Sequence, residues 1–166
     1  MKILLLFYLL AVGVRSSYDG VSVIRIIDGD SYKITAPFLP APLVQSLTLR
    51  VAGIDTPEAG WRAKCARESD MATQALHVVK NWLELAEYSV LLYKWDKYGG
   101  RVLGNIVRNC MNGSTSISEH LLRHGYAVRY HGRGQRHDWC KHTDLTELHN
   151  NMICFAARCQ QEIIGG

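Results

Sequence analysis

Asp30, Arg50, Asp55, Glu58 and Arg101 lie on three short segments that each read as a strand edge or a turn. Three carboxylates and two guanidiniums are what metal-assisted attack of water on a phosphodiester would require. Hard oxygen donors hold a divalent cation, a further carboxylate takes a proton from water, and planar fork donors grip a pentacoordinate phosphorane through two oxygens at once. Asp55 and Glu58 are three residues apart across a turn containing Pro57, so one can face a metal while the other faces the water that metal polarises. Each residue also has a plain structural role. Asp28 and Asp30 around Gly29 can shape a hairpin turn, Asp55 can close a turn or cap a helix, and Arg50 can be a solvated strand residue.

The strands that carry these residues are marked by alternation. Val21 to Ile26 is dense in Val and Ile and is closed by Asp28, Gly29 and Asp30, which predicts a strand and then a hairpin into Tyr32 to Thr35. Pro37, Pro40 and Pro42 make 36–46 a loop. Leu47, Leu49 and Val51 then alternate with Thr48, Arg50 and Ala52, which points Arg50 away from the core face. From Glu68 to Glu87, apolar residues recur at Met71, Ala75, Val79, Trp82 and Ala86, one face of an amphipathic helix. Ser89 to Trp95 and Arg101 to Val107 read as strands joined by a turn at Asp96 to Gly100. Ser116 and Glu119 form a capping box for a helix ending at Gly125, and a last helix is expected from Asp144 to about Gln161. Strands first, one helix in the middle and helices at the end predict an α+β protein. The specific expectation is a five-stranded antiparallel OB-fold β-barrel with about three peripheral helices.

At 166 residues and 48% apolar content the chain suits one globular domain over 18–166, with a Cys/His-rich extension from about residue 131. A net charge of +4 excludes a strongly basic nucleic-acid sponge, so phosphate affinity must come from local clustering. Arg123, Arg129, Arg133, Arg136 and Lys141 cluster against Asp138 alone and are interleaved with Tyr126, Tyr130 and Trp139, a composition suited to single-stranded nucleic acid.

Lys2 precedes an apolar run from Ile3 to Val14, with small residues at Ala11 and Gly13, and residues 1–17 are read as a secretory signal. The run falls short of the roughly 20 residues a membrane-crossing helix needs, so no stable membrane anchor is expected. Export, secreted or periplasmic, would place Cys65, Cys110, Cys140, Cys154 and Cys159 where disulfides persist, although the sequence leaves their connectivity open. A zinc site from Cys140, His142, His149, Cys154 and Cys159 is the alternative, but their spacing fits no paired Cys or His pattern.

The runs VIRIIDGDS (Val23 to Ser31), LRVAGIDTPE (Leu49 to Glu58), DKYGGRVLGNI (Asp96 to Ile106) and LLRHGYAVRY (Leu121 to Tyr130) resemble, in order and spacing, the signature blocks of the staphylococcal nuclease-like, or thermonuclease, family. The resemblance covers roughly Val21 to Tyr130. It implies that Asp30 and Asp55 are carboxylate ligands of a catalytic Ca²⁺ and that Thr56 adds a backbone carbonyl oxygen. It also implies that Glu58 is the general base and that Arg50 and Arg101 bind the scissile phosphate and stabilise the transition state. Mg²⁺ is the less favoured ion, since it demands tighter octahedral geometry. The family hydrolyses DNA and RNA with little sequence preference, breaking the bond to the 5′ oxygen and leaving 3′-phosphate ends. Many members place the second arginine directly after Tyr-Gly. Here Gly99 and Gly100 separate Tyr98 from Arg101, so Arg101 reaches the same face only if the turn absorbs a glycine. Arg123, Arg129, Tyr130, Arg133 and Arg136 are the candidate nucleic-acid contacts, and a monomer is expected. The competing class is an OB-fold module that binds single strands through this basic run and does not cut them.

Overall fold

The computed structural model describes residues 16–17, 20–40, 42–43, 45–110 and 113–141. Within them the chain order is β1 (Ser16–Ser17), β2 (Val23–Asp28), β3 (Ser31–Thr35), β4 (Ser46–Val51), β5 (Ile54–Asp55), α1 (Ala66–Glu84), β6 (Ser89–Trp95), β7 (Arg101–Cys110), β8 (Gly113–Ser116), α2 (Ile117–Arg123) and β9 (Val128–Arg129). A single 3₁₀ turn at Gly60–Arg62 precedes α1.

The expected alternation decides the sheet. Leu47, Leu49 and Val51 of β4 are all buried while Thr48 and Arg50 on the other face are half-buried. Burying each such side chain stabilises by about 1.5–3 kcal/mol, enough to hold the register against a one-residue slip. Tyr32 and Ile34 of β3, Val79 and Trp82 of α1, and Leu121 of α2 close the same core.

The large sheet runs β1-β6-β7-β4-β3-β2, with β8 continuing on the far part of β7 and β5 pairing separately with β9. Two features differ from the expected antiparallel barrel. First, β4 and β7 pair in parallel, Thr48 opposite Arg101 and Arg50 opposite Leu103, so the sheet is mixed. A tight hairpin can join only antiparallel neighbours, but the connection between β4 and β7 carries α1 and β6 and is long enough to bring the chain back in the same direction. Second, no ladder joins β2 to β6 among the described residues, so the sheet is an open path. A side chain links β2 to the residue before β6, the Val23 N–H donating to Tyr88 Oη at 3.1 Å.

The first helix is shifted from its expected place. Cys65 caps it, its sulfur accepting the Glu68 N–H at 3.4 Å, so α1 begins at Ala66. Its buried stripe is Glu68, Ala72, Ala75, Val79 and Trp82; Met71 is half-buried and Ala86 lies exposed beyond the helix end. The small Ala72, rather than Met71, takes the buried position on that face. The capping box of α2 forms as expected, Ser116 Oγ accepting from Glu119 N at 3.3 Å and Glu119 Oε2 accepting from Ser116 N at 3.1 Å. The helix expected over 144–161 lies outside the described residues, as does the signal segment through residue 15.

Candidate active site

The β2–β3 turn delivers Asp30 to the end of β4. The Val51 N–H donates to the Asp30 carbonyl at 2.8 Å, and Ser31 stands opposite Arg50 in the β3–β4 ladder. Inside the turn the Asp30 N–H donates to Asp28 Oδ1 at 3.2 Å. A Cβ at Gly29 would meet the Thr56 side chain at 3.0 Å, a tight contact that glycine avoids as the segment after β5 comes close. That approach allows the Thr56 N–H to donate to Asp30 Oδ2 at 3.1 Å. Asp30, Asp55 and Thr56 are 3%, 0% and 2% exposed, so the two carboxylates are held in the protein interior and require partners.

Arg50 is the first of those partners. Its guanidinium pairs with Asp30, lies 3.7 Å from Asp55 Oδ1 and donates to the Ile54 carbonyl at 3.3 Å. Burial lowers its pKa from the ordinary arginine value, Asp28 and Asp55 oppose that shift, and the positive charges of Arg136 and Arg101 add to it. Arg50 and Arg136 share Asp55 as a partner.

Arg101 shares the face of Arg50. Leu103 pairs with Arg50 and Arg101 lies two residues earlier on β7, so both arginines leave the sheet on one side. The turn does absorb the extra glycine: Gly100 adopts φ +70° and its carbonyl accepts the Thr48 N–H at 2.9 Å. Arg101 pairs with Asp96 at 2.5 Å and its guanidinium stands 4.5 Å over the Tyr98 ring. Burial works against the Asp96 charge, but the hydrogen bond from Arg101 and the Lys97 N–H outweigh it and lower the pKa. Arg101 is thus drawn to Asp96, and its ion-pair partner is none of Asp30, Asp55 or Glu58.

Glu58 is joined to the site by backbone and side chain. Its N–H donates to the buried Glu68 at 3.2 Å, and its carboxylate pairs with Arg62 at 3.2 Å and with Arg136 at 2.6 Å. Arg136 also reaches Asp55 Oδ1, with Nη2 at 2.5 Å and Nε at 2.7 Å. Partial burial disfavours the Arg136 charge, yet its hydrogen bonds to Asp55 and Glu58 prevail and raise its pKa.

The candidate nucleic-acid contacts of the basic run near the C-terminus lie in different surroundings. Arg136 is committed to Asp55 and Glu58, Trp139 is buried at 4% exposure, and Arg123 is half-buried on α2. Arg129 and Arg133 are exposed and Tyr130 is half-buried. Open aromatic surfaces adjoining residues of the site include Trp61, 93% exposed beside Arg62, Trp95, 60% exposed before Asp96, and Tyr98, 54% exposed under Arg101. Sequence reasoning passed over Arg62 and Glu68. Arg62 follows Glu58 by one helical turn, a spacing that could have flagged the pair.

The oxygen donors suit a hard cation. Asp55 Oδ2 is buried with no hydrogen-bond partner, an acceptor left open. Asp30, Asp55 and the Thr56 carbonyl would supply part of an all-oxygen shell, water completing it. Among the described residues no group of three or more His, Cys, Asp or Glu side chains is placed to hold a metal ion. The zinc alternative loses one of its ligands, because Cys140 is joined to Cys65 in a disulfide with Cα atoms 6.0 Å apart. His142, His149, Cys154 and Cys159 lie outside the described residues.

The family model described as Staphylococcal nuclease homologue matches residues 48–151. The chain belongs to this family. The matched segment contains Arg50, Asp55, Thr56, Glu58 and Arg101, and it runs past Tyr130 to take in Arg136 and Cys140, a stretch for which the sequence motifs had offered no counterpart. Asp30 lies before it. Two curated relatives are both named probable endonuclease LCL3, one from Candida dubliniensis and one from Candida tropicalis. Each is 28% identical over 100 residues, covering 57% of this chain and 41% of the relative. The chain therefore spans less than half the length of these relatives. No helix among the described residues is long and apolar enough to cross a membrane.

Proposed function

We propose that this nuclease-family chain hydrolyses phosphodiester bonds of DNA, RNA or both, with Ca²⁺ as cofactor in preference to Mg²⁺ and with little sequence preference. The observation that carries the reading is one cluster in which Arg50 pairs with Asp30 and lies 3.7 Å from Asp55, Arg136 joins Asp55 to Glu58, and Asp55 Oδ2 stays buried without a hydrogen-bond partner. Asp30, Asp55 and the Thr56 carbonyl hold the cation, which when bound supplies positive charge and a polarised water. Glu58 takes the proton from the attacking water. Arg50 and Arg101, projecting from neighbouring strands on one side of the sheet, grip the phosphate and stabilise the phosphorane. Arg101 also stands at the leaving oxygen, which the family pattern makes the 5′ oxygen. Arg129, Tyr130 and Arg133 contact the strand away from the reacting phosphate. The protein acts as an exported monomer, and its disulfide favours an oxidising compartment.

The test is digestion of single- and double-stranded DNA and RNA by the purified chain with Ca²⁺, with Mg²⁺ and with chelator, alongside Glu58→Gln. Cleavage that needs Ca²⁺ and is lost in Glu58→Gln, with binding retained, supports the reading. Binding to single strands without cleavage under any metal replaces it with a non-cutting OB-fold module. Equal loss of binding and turnover in Glu58→Gln removes the general-base role.

A further inference from the structure

The Arg136 contacts carry more than a structural meaning. Its fork spans the two carboxylates to which the proposed function gives metal-binding and base roles, with Nη2 and Nε on Asp55 Oδ1 and Nη1 on Glu58 Oε1. Asp55 is wholly buried, and its other ion-pair partner, Arg50, stands at 3.7 Å while engaged with Asp30. Arg136 therefore supplies most of the positive charge that a buried Asp55 needs. A divalent cation at Asp55 would supply the same charge, and a guanidinium and a cation packed on one carboxylate repel one another.

The segment that carries Arg136 is anchored at both ends. At one end β9 pairs with β5, Val128 opposite Asp55, and the Tyr130 N–H donates to the Gly53 carbonyl at 2.9 Å. At the other end Trp139 is buried and Cys140 is bridged to Cys65, the residue that caps α1 shortly after Glu58. Between these anchors residues 131–136 are exposed, with Gly132 and Gly134 at φ +78° and +82°. The arrangement is a short strap fixed at its ends, its exposed middle held by the Tyr130 hydroxyl donating to the Gly134 carbonyl at 3.3 Å, so Arg136 is kept at a high effective concentration over the carboxylates without being built into the core.

We propose that Arg136 is an internal counter-cation of this site, which a divalent cation must displace from Asp55 and Glu58, and that the Cys65–Cys140 bridge holds it in place. The inference rests on the metal-dependent reading above and adds a residue that sets how readily the cation enters. Breaking the bridge leaves buried Trp139 as the remaining anchor at that end of the strap, which loosens it and lowers the effective concentration of the guanidinium, so oxidation state tunes cation affinity.

The experiment is calorimetric titration of Ca²⁺ alone into the disulfide-bonded full chain, into Arg136→Gln, into the Cys65→Ser/Cys140→Ser double variant, and into Lys80→Gln as a remote charge-matched control. Arg136→Gln is expected to bind Ca²⁺ about tenfold more tightly, the scale on which loss of a close charge pair acts. The double variant moves the same way by less, and Lys80→Gln matches the parent. Unchanged or weaker affinity in Arg136→Gln, with Ca²⁺ still bound by the parent, overturns the counter-cation and leaves the nuclease reading standing. No Ca²⁺ binding by any variant overturns the metal-dependent reading and the counter-cation with it. If circular dichroism shows the double variant unfolded, Arg136→Gln decides the role of Arg136 and titration of the parent with and without reductant decides that of the bridge.

Discussion

The carboxylate of Glu68, 3% exposed in the first turn of α1, accepts the backbone N–H of Glu58 at 3.2 Å on one oxygen and that of Lys64 at 2.7 Å on the other. A buried acid thereby fixes both ends of the turn that carries Glu58. Hydrogen bonds to charged groups each contribute about 1.5–3 kcal/mol, so losing both in Glu68→Ala is expected to destabilise the fold by about 3–6 kcal/mol in denaturant unfolding. Glu68→Gln, which keeps one carbonyl acceptor, should recover part of that loss. If Glu68→Ala unfolds at the parent's midpoint, the turn does not depend on this anchor.

Charge alone at position 50 should not suffice. Arg50 engages Asp30, Asp55 and the Ile54 carbonyl from one planar group, and lysine offers a single point charge with no fork. Arg50→Lys is expected to lower kcat/KM for nucleic-acid cleavage by roughly 10² or more, with the thermal midpoint within a few degrees of the parent. Parental activity in Arg50→Lys would show that only the positive charge matters there.

A histidine gives the folded state a pH dependence. His120 on α2 packs against Trp82 and against His124, with ring centroids 6.3 and 4.1 Å away. Burial, then the positive charges of His124, Arg108 and Arg123, lower its pKa from 6.5 to about 3. The unfolded chain takes up a proton here below about 6.5 while the folded chain stays neutral, so this contribution is full above pH 6.5 and is lost as pH falls toward 3. Thermal unfolding between pH 7 and 4 should therefore show a shallower loss of Tm in His120→Gln than in the parent. Parallel curves would mean that His120 titrates alike in both states.

Gly104 is required by packing rather than by backbone angle. A Cβ at this position in β7 would press into the Leu91 carbonyl of β6 and approach Leu49 Cδ1 of β4 at 2.7 Å. The Leu91 carbonyl is backbone of β6 and cannot withdraw without opening the β6–β7 ladder, whereas Leu49 can give only by moving its side chain within the buried core. Gly104→Ala is expected to cost about 3 kcal/mol, near the upper end for overpacking, which would appear as a Tm lowered by about 10 °C. A midpoint within 2 °C of the parent, roughly the shift from less than 1 kcal/mol, would show that the β6–β7 contact is softer than its geometry.

Local signals made much of this protein legible from its residues alone. Alternation placed Leu47, Leu49 and Val51 inward and Arg50 outward, Asp28-Gly29-Asp30 marked the β2–β3 turn, and Ser116 with Glu119 marked the start of α2. Each of these depends on neighbours a few residues away, so the chain states them directly, and the motif blocks marked the family that the comparison with known proteins then showed. Tertiary structure alone decided the rest. Arg136 sits 81 residues from Asp55 and 78 from Glu58, and the Cys65–Cys140 bridge closes a separation of 75. The parallel pairing of β4 with β7, the burial of Trp139 and the choice of Ala72 over Met71 for the core depend likewise on which distant surface each residue meets. Periodicity and capping act within one element, whereas the partner of a long charged side chain is chosen only when the whole chain has closed.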